Sequence, residues 1–224
     1  MGSKNKLRRF KENETFQNVV QPSREEIVSE KFSLKGNWNE KFFNNENPIV
    51  LELGCGKGEY SIALAKEFPE KNFLGIDIKG ARFWRGAKTA LEENLKNVGF
   101  LRTQIELVDL VFAENEIDEI WITFPDPQIK YKRTKHRMTN SEFLKKYKKI
   151  LCPEGTVNLK TDSEFMHGYT LGLLHGEGHE ILYANHDVYK SENSPKMVTK
   201  IQTFYEKQYL EQNKSITFVK FKFN

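Results

Sequence analysis

Asp126 stands between Pro125 and Pro127, directly before a segment rich in cations. Each proline fixes its own backbone angle φ and restricts the residue before it, so the carboxylate has little conformational freedom. A carboxylate held in this way can orient a reacting group or accept hydrogen bonds from the N–H groups of a substrate. The alternative interpretation is an ordinary turn after a strand, where proline and aspartate are both common.

The cations that follow are concentrated in one part of the chain. Residues 130–149 carry nine lysines and arginines and a single acid, Glu142, although the net charge of the chain is only +4. Such a concentration attracts polyanions, and we interpret it as a binding surface for nucleic-acid phosphates. A solvated surface loop is the alternative interpretation.

A glycine loop, Glu52-Leu-Gly54-Cys-Gly56-Lys-Gly58, follows an apolar run of strand length. Glycines allow a tight turn and a close approach of the backbone to a ligand. The spacing GxGxG differs from the GxGxxG of dinucleotide folds and from the GxxxxGK[ST] of P-loops. Glu52 would repel a pyrophosphate but would pair with the amino group of an amino acid.

Asp77 ends the next apolar strand, where an acid suits the two hydroxyls of a ribose. An amino-acid-binding acid, a glycine loop and a ribose-binding acid together predict S-adenosylmethionine as the cofactor. A structural strand-to-helix turn and a nicotinamide cofactor are the alternatives.

Two later segments add polar residues that could reach the same crevice. Thr161 and Asp162 end another apolar strand, and Asp162 could equally cap the helix that follows. Thr203 and Glu206 lie three residues apart in a predicted helix, so both could touch one base edge. A plain surface helix is the alternative for this second segment.

Strand and helix patterns alternate along most of the chain, which predicts a doubly wound α/β fold with a mostly parallel seven-stranded sheet and helices on both faces. The last strand follows a helix and alternates in polarity, so we expect it to be antiparallel. The predicted strands are 48–53, 72–77, 98–102, 118–124, 155–159, 179–184 and 215–223. The predicted helices are 59–68, 80–96, 141–151, 163–174 and 197–212.

Length and composition favour one globular unit. The 224 residues include 38% hydrophobic and 12% aromatic side chains, no stretch is long and apolar enough to span a membrane, and the polar, basic start lacks a secretory signal. We predict a basic N-terminal arm over 1–46 and a single domain over 47–224.

The two cysteines are far apart in sequence, which favours a reduced, cytoplasmic protein without a metal site. Monomer and homodimer both stay open.

The segments ELGCGKGEY, GIDIKGAR, TFPDPQIKYKRTKHR, LKTD and TFYE together resemble the bacterial tRNA (guanine-N7)-methyltransferases. The resemblance spans the whole chain and implies a Rossmann-like class I S-adenosylmethionine-dependent methyltransferase. It also implies that the substrate is the guanine at position 46 of the tRNA variable loop. This chain departs from the FPDPWPKKRH common in the family, since Gln128 and Ile129 replace tryptophan and proline.

The resemblance also implies roles for particular residues. Asp126 is the expected catalytic residue, and Gln104 stands where many members carry an acid. The implied cofactor-binding residues are Glu52, Gly54, Gly56, Gly58, Asp77, Gln104 and Asp126. The implied substrate-binding residues are Lys130, Asp162, Thr203, Phe204, Tyr205 and Glu206.

The chemistry of guanine agrees with this set of residues. Its N7 carries a lone pair and no proton, so methyl transfer needs alignment more than a strong base. Its N1–H and N2–H₂ groups are donors that suit the carboxylates of Asp126, Asp162 and Glu206. A small-molecule methyltransferase would not need the cations, and a noncatalytic RNA-binding protein would not need Glu52, the glycine loop and Asp77. These two classes remain the alternatives.

Overall fold

The computed structural model describes residues 2–224, with side chains from residue 5 onward. Its strands are β1 Val19–Val20, β2 Ile49–Leu53, β3 Asn72–Ile76, β4 Val98–Leu101, β5 Ile117–Thr123, β6 Leu151–Thr161, β7 Glu180–Asn185 and β8 Thr217–Lys222. They form one sheet in the order β1-β4-β3-β2-β5-β6-β8-β7. Neighbouring strands are parallel except where β8 pairs antiparallel with β6 and β7. The predicted α/β class and the final antiparallel strand are therefore confirmed.

Helices cover both faces of this sheet. They are α1 Gly2–Asn13, α2 Arg24–Val28, α3 Glu59–Glu67, α4 Gly80–Glu92, α5 Val108–Val111, α6 Ser141–Ile150, α7 Glu164–Gly176, α8 Lys196–Lys200 and α9 Phe204–Glu211. One core cluster packs α6 and α7 against the sheet around Trp38 and Tyr147. The other packs α3 and α4 against the opposite face around Phe83 and Phe100. Among the described residues, no helix is long and apolar enough to cross a membrane.

The sheet has one strand more than the seven predicted. Val19 and Val20 pair with Phe100 and Leu101 at the edge beyond β4. A two-residue strand carries no periodicity, so the sequence pattern could not indicate it. The contacts show that the segment assigned to the N-terminal arm adds a strand to the sheet, while the division at residue 46 stays a prediction.

The same segment also packs on α4. The Asn13 side-chain amide donates to the Gly80 carbonyl at 2.9 Å, and the Trp84 indole N–H donates to Glu12 at 2.6 Å. The Arg9 guanidinium lies 4.8 Å from the centroid of the Trp84 ring. These contacts place α1 beside the start of α4, close to the carboxyl ends of β3 and β4.

The predicted helix over 197–212 is wrong in one respect, because it is broken into α8 and α9. Thr203 has the extended backbone of an N-cap, with φ −72° and ψ 163°, and its hydroxyl accepts from the Glu206 N–H. Thr203 therefore begins a new helix instead of continuing the old one. Similarly, the cap of α7 is Ser163, whose hydroxyl accepts from the Met166 N–H, and not Asp162.

Candidate active site

The glycine loop joins β2 to α3 at the carboxyl edge of the sheet. Gly54, Gly56 and Gly58 have positive φ values of 75°, 55° and 75°, which is the left-handed region that favours glycine. A Cβ at Gly58 would lie 2.5 Å from the Phe100 ring, whereas a Cβ at Gly54 would meet only Met138 and Ile105 at 3.9–4.0 Å. Gly58 therefore serves close packing, and Gly54 leaves room in the crevice.

We expect Gly58→Ala to lower the free energy of unfolding by about 3 kcal/mol, since it combines left-handed strain with overpacking against Phe100. Gly172→Ala on α7 is the matched control, because a Cβ there has nothing within 4 Å. The control should be as stable as wild type or slightly more stable. Urea denaturation measures both variants, and equal midpoints would contradict the packing argument.

Glu52 is buried, with 4% of its surface exposed, at the end of β2. Its carboxylate accepts from the Ser61 N–H at 2.9 Å, the Ser61 hydroxyl at 2.5 Å and the Thr123 hydroxyl at 2.7 Å. Burial raises the pKa of Glu52 from 4.5 to about 7, against the opposing effect of these hydrogen bonds. A buried carboxylate of this kind favours a cationic ligand, which would restore its charged form.

Asp77 and Gln104 follow β3 and β4 at the same edge. One Asp77 oxygen accepts from the Gly56 N–H at 3.1 Å and the other from the Lys79 N–H at 2.8 Å. Each oxygen retains a lone pair that a ribose hydroxyl can use. The Gln104 carbonyl accepts from Arg24 at 2.5 Å, so its amide N–H₂ group is the part left for an adenine edge.

Two cavities flank Gly54. A cavity of about 120 Å³ is lined by Glu52, Gly54, Thr123, Thr203 and Tyr205. A second, of about 300 Å³, is lined by Asp126, Gln128, Ile105 and Met138. Ile105 and Met138, which line the second cavity, are the side chains nearest to a Cβ built at Gly54, so the two cavities lie close to each other.

Asp126 follows β5 in a strained turn. Phe124 and Gln128 both have positive φ, 49° and 46°, and one Asp126 oxygen accepts from the Gln128 N–H at 3.0 Å. The carboxylate is exposed and lines the larger cavity. The two prolines and this hydrogen bond restrict its position, as the sequence predicts, and its role in catalysis stays a prediction.

The cationic segment divides into residues of two kinds. Four cations of the loop are exposed: Lys130, Lys132, Arg133 and Lys135. Arg137 is buried, donates to the carbonyls of Gln128 and Ile129, and stacks 4.8 Å and 4.5 Å from the ring centroids of Phe165 and Tyr169. Arg137 therefore anchors the loop to α7 and is not available to phosphates. In sequence it looks like its neighbours, so only the structure separates it from them.

Asp162 follows β6 at the same edge of the sheet. One of its oxygens lies 3.3 Å from the Lys214 ammonium, and the side chain remains partly exposed. The structure thus brings Glu52, Asp77, Asp126 and Asp162 to the carboxyl ends of four parallel strands. Open α/β sheets bind ligands in the crevice outside these ends.

The segment from Thr203 to Glu206 begins α9 and forms a capping box, in which Thr203 and Glu206 each accept from the other's backbone N–H. The T-x-x-E spacing is a known signature of this motif, and it explains the pattern without a ligand. Phe204 and Tyr205 are half-exposed, and Lys57 of the glycine loop lies 4.0 Å from the centroid of the Phe204 ring. Glu206 is fully buried, so Thr203 and Glu206 do not share an exposed face. The contact of Glu206 with substrate stays a prediction.

The residues present fit S-adenosylmethionine. The buried carboxylate of Glu52 would suit the amino group, Gly54 leaves space where a Cβ would enter the crevice, and the Asp77 oxygens would suit the ribose hydroxyls. Among the described residues, no group of three or more histidine, cysteine, aspartate or glutamate side chains is placed to hold a metal ion.

Comparisons with known proteins agree with this geometry. The sequence family described as "Putative methyltransferase" matches residues 46–219. The structure is similar to that of the 16S rRNA methyltransferase KamB, with a TM-score of 0.62, 12% identity, and coverage of 83% of this chain and 92% of that one. A SAM-dependent methyltransferase from Aquifex aeolicus gives a TM-score of 0.53 at 17% identity, covering 94% and 96% of the two chains. Fold and crevice thus define a class I S-adenosylmethionine-dependent methyltransferase.

Curated relatives narrow the class. A tRNA (guanine-N(7)-)-methyltransferase of Christiangramia forsetii is 73% identical over 99% of both chains. A protein of the same name from Bacteroides fragilis is 45% identical over 97% of this chain and 85% of that one. The chain belongs to the family of tRNA (guanine-N7)-methyltransferases.

Proposed function

We propose that this protein transfers a methyl group from S-adenosylmethionine to N7 of a guanine in tRNA, at position 46 of the variable loop. The observation that carries the proposal is the placement of a cofactor crevice next to Asp126 and four exposed cations. The name of the 73% identical relative supports the same substrate. We further propose that the reaction takes place in the cytoplasm, on tRNA, by a monomer or a homodimer.

The bound cofactor would supply a methyl group on a positively charged sulfur, which is electrophilic. Glu52, the glycine loop and Asp77 would hold this cofactor, whose methyl carbon would accept the lone pair of guanine N7 with the sulfur as leaving group. No proton is removed in this step, so the protein contributes mainly alignment. The guanine becomes positively charged, and a fixed carboxylate close to it stabilises that charge as it develops.

We assign Asp126 and Asp162 to the guanine. Both carboxylates follow neighbouring strands, β5 and β6, so they approach the crevice from the same edge. Either carboxylate can accept hydrogen bonds from guanine N1–H and N2–H₂. These bonds would fix the orientation of the base and therefore the position of its N7. Phe204 and Tyr205 have half-exposed rings on which a base could stack, and Tyr205 lines the smaller cavity.

The test is methyl transfer from labelled S-adenosylmethionine to an unmodified tRNA transcript and to a matched transcript with adenine at position 46. Label in the guanine transcript alone supports the enzyme, the substrate and the site together. Label in both transcripts would show that the methylated position lies elsewhere in the tRNA. No label in either, with the cofactor still bound, would favour a small-molecule methyltransferase.

Lys130 is exposed in the loop that we assign to tRNA phosphates. We expect Lys130→Ala to reduce the slope of log affinity against log salt concentration by about 0.7–0.9, the value for one phosphate contact. Lys145→Ala is the matched control in the same segment, because Lys145 already pairs with Glu142 at 2.8 Å. Filter binding of tRNA across a salt series gives the slopes, and identical slopes for the two variants would contradict the assignment.

A further inference from the structure

A fully buried ion pair lies directly behind the crevice. Lys160, near the end of β6, and Glu206, in the first turn of α9, are both 0% exposed. The Lys160 ammonium lies 2.7 Å and 2.9 Å from the two Glu206 oxygens. The Tyr189 hydroxyl donates to the same carboxylate at 2.7 Å. The mechanism proposed above uses none of these three groups.

The pair is connected to residues 201–205, which join α8 to α9 and include the first two residues of α9; we call this segment the turn. The Lys160 ammonium also donates to the Ile201 carbonyl at 2.9 Å, and Glu206 accepts from the Thr203 N–H at 3.4 Å. Both ends of the turn are therefore held by the same two side chains. Burial lowers the pKa of Lys160, with Glu206 opposing the shift, so the charge of the lysine depends on its partner.

This turn forms one wall of the smaller cavity. Thr203 and Tyr205 line that cavity opposite Glu52 and Gly54. The Phe204 N–H donates to the Glu59 carboxylate at 3.0 Å, which ties the turn to the start of α3. Displacement of the turn would therefore change the shape of the space next to the buried carboxylate of Glu52.

We propose that Lys160 and Glu206 are positioning residues, which hold the turn over residues 201–205 as the wall of the cofactor cavity. The inference rests on the proposed function, since it assigns the cavity to S-adenosylmethionine. A buried ion pair is costly to desolvate and is often no more stable than an apolar replacement, so fixed geometry is the better explanation for it.

The Glu206 carboxylate is not free to recognise the substrate. At least three donors already reach the Glu206 carboxylate, from Lys160, Tyr189 and Thr203. A guanine edge could engage it only by breaking a buried ion pair. Recognition of that edge therefore belongs to Asp126 and Asp162, and Glu206 acts through the position of the turn.

The experiment measures the Kd for S-adenosylhomocysteine by calorimetry, without tRNA. The variants are Lys160→Met, Glu206→Gln and the double variant, which is uncharged and retains a residue suited to the capping box. Lys200→Met is the matched control, because Lys200 lies on α8 and forms a largely exposed pair with Glu67 at 2.5 Å. Thermal unfolding of each variant shows whether it is folded.

We expect the folded double variant to bind S-adenosylhomocysteine about tenfold more weakly than wild type, and each single variant to bind at least as weakly, because each single variant also leaves a buried charge without its partner. The control should bind as wild type does. A double variant that folds and binds within twofold of wild type overturns the inference alone. A wild-type protein that does not bind S-adenosylhomocysteine overturns both the inference and the proposed function.

Discussion

Glu52→Gln is expected to weaken binding of S-adenosylmethionine about 100-fold while making the cofactor-free protein more stable at pH 8. The loss of affinity is expected because the substitution removes the charge that we propose to pair with the cofactor's amino group in a buried site. The hydrogen bonds survive, since the glutamine oxygen can accept from Ser61 and its N–H₂ group can donate to Thr123. Calorimetry of cofactor binding and urea denaturation measure the two effects.

The stability gain has a defined pH window. In the unfolded chain Glu52 ionises near 4.5, whereas in the folded protein its pKa is about 7. The free energy of unfolding therefore falls by up to about 3 kcal/mol as pH rises from 4.5 to 7. Above pH 7 the ionisation of Glu52 causes no further change. Glu52→Gln should remove that fall. If the pH profiles of wild type and variant are parallel, the raised pKa is wrong.

Affinity for the cofactor should show the opposite dependence. Below pH 7 binding of the cofactor must displace the proton from Glu52, so wild-type affinity should fall by about tenfold per pH unit as the pH is lowered. Ser61→Ala is an informative comparison, because it removes the hydroxyl that donates to the carboxylate at 2.5 Å. That variant should need a higher pH to reach the wild-type affinity.

Asp126→Ala is expected to reduce the rate of methyl transfer by about 100-fold to 1,000-fold, with tRNA binding nearly unchanged. Loss of an orienting group lowers turnover, whereas the phosphate contacts that we propose for the cationic loop would account for most of the binding. Asp126→Asn should recover part of the loss, since its amide oxygen can still accept from the Gln128 N–H and from guanine. Single-turnover kinetics on the guanine transcript separate the methyl-transfer step from binding.

Glu106→Ala provides the matched control for Asp126→Ala. Glu106 lines the same cavity of about 300 Å³ and is exposed, but it belongs to the short helix Ile105–Leu107. Glu106→Ala removes one negative charge from the cavity, as Asp126→Ala does, but it leaves the Asp126 carboxylate in place. Equal losses in the two variants would show that Asp126 acts only through charge in the cavity, and near-wild-type turnover in both would refute its catalytic role.

The sequence predicts the parallel strands and the glycine loop well because these features are local. Buried strands such as Ile49–Leu53 are largely apolar runs, and GxGxG with Glu52 and Asp77 predicts the cofactor without tertiary information. The two-residue strand Val19–Val20 has no such signal. It exists because the chain after α1 lies beside Phe100 and Leu101.

The residues that the sequence misassigns or leaves without a role are charged groups whose burial depends on distant contacts. Arg137 resembles its exposed neighbours, yet Phe165 and Tyr169 cover it from a helix further along the chain. Lys160 stands in a strand of otherwise ordinary pattern, and only the approach of α9 explains its burial. The T-x-x-E spacing at Thr203 was readable as a helix start, and it would have predicted the break between α8 and α9.

The position of β8 has a consequence for vectorial synthesis on the ribosome. This strand follows all the others in the chain, yet it lies inside the sheet between β6 and β7. While the chain emerges, β7 has no neighbour, and the edge of β6 is unprotected until β8 is made. The half of the sheet that carries Glu52, Asp77 and Asp126 can assemble during translation, whereas the Asp162 side is completed only afterwards. A nascent chain stalled before residue 217 would thus expose an open strand edge, which is where chaperones or aggregation would act.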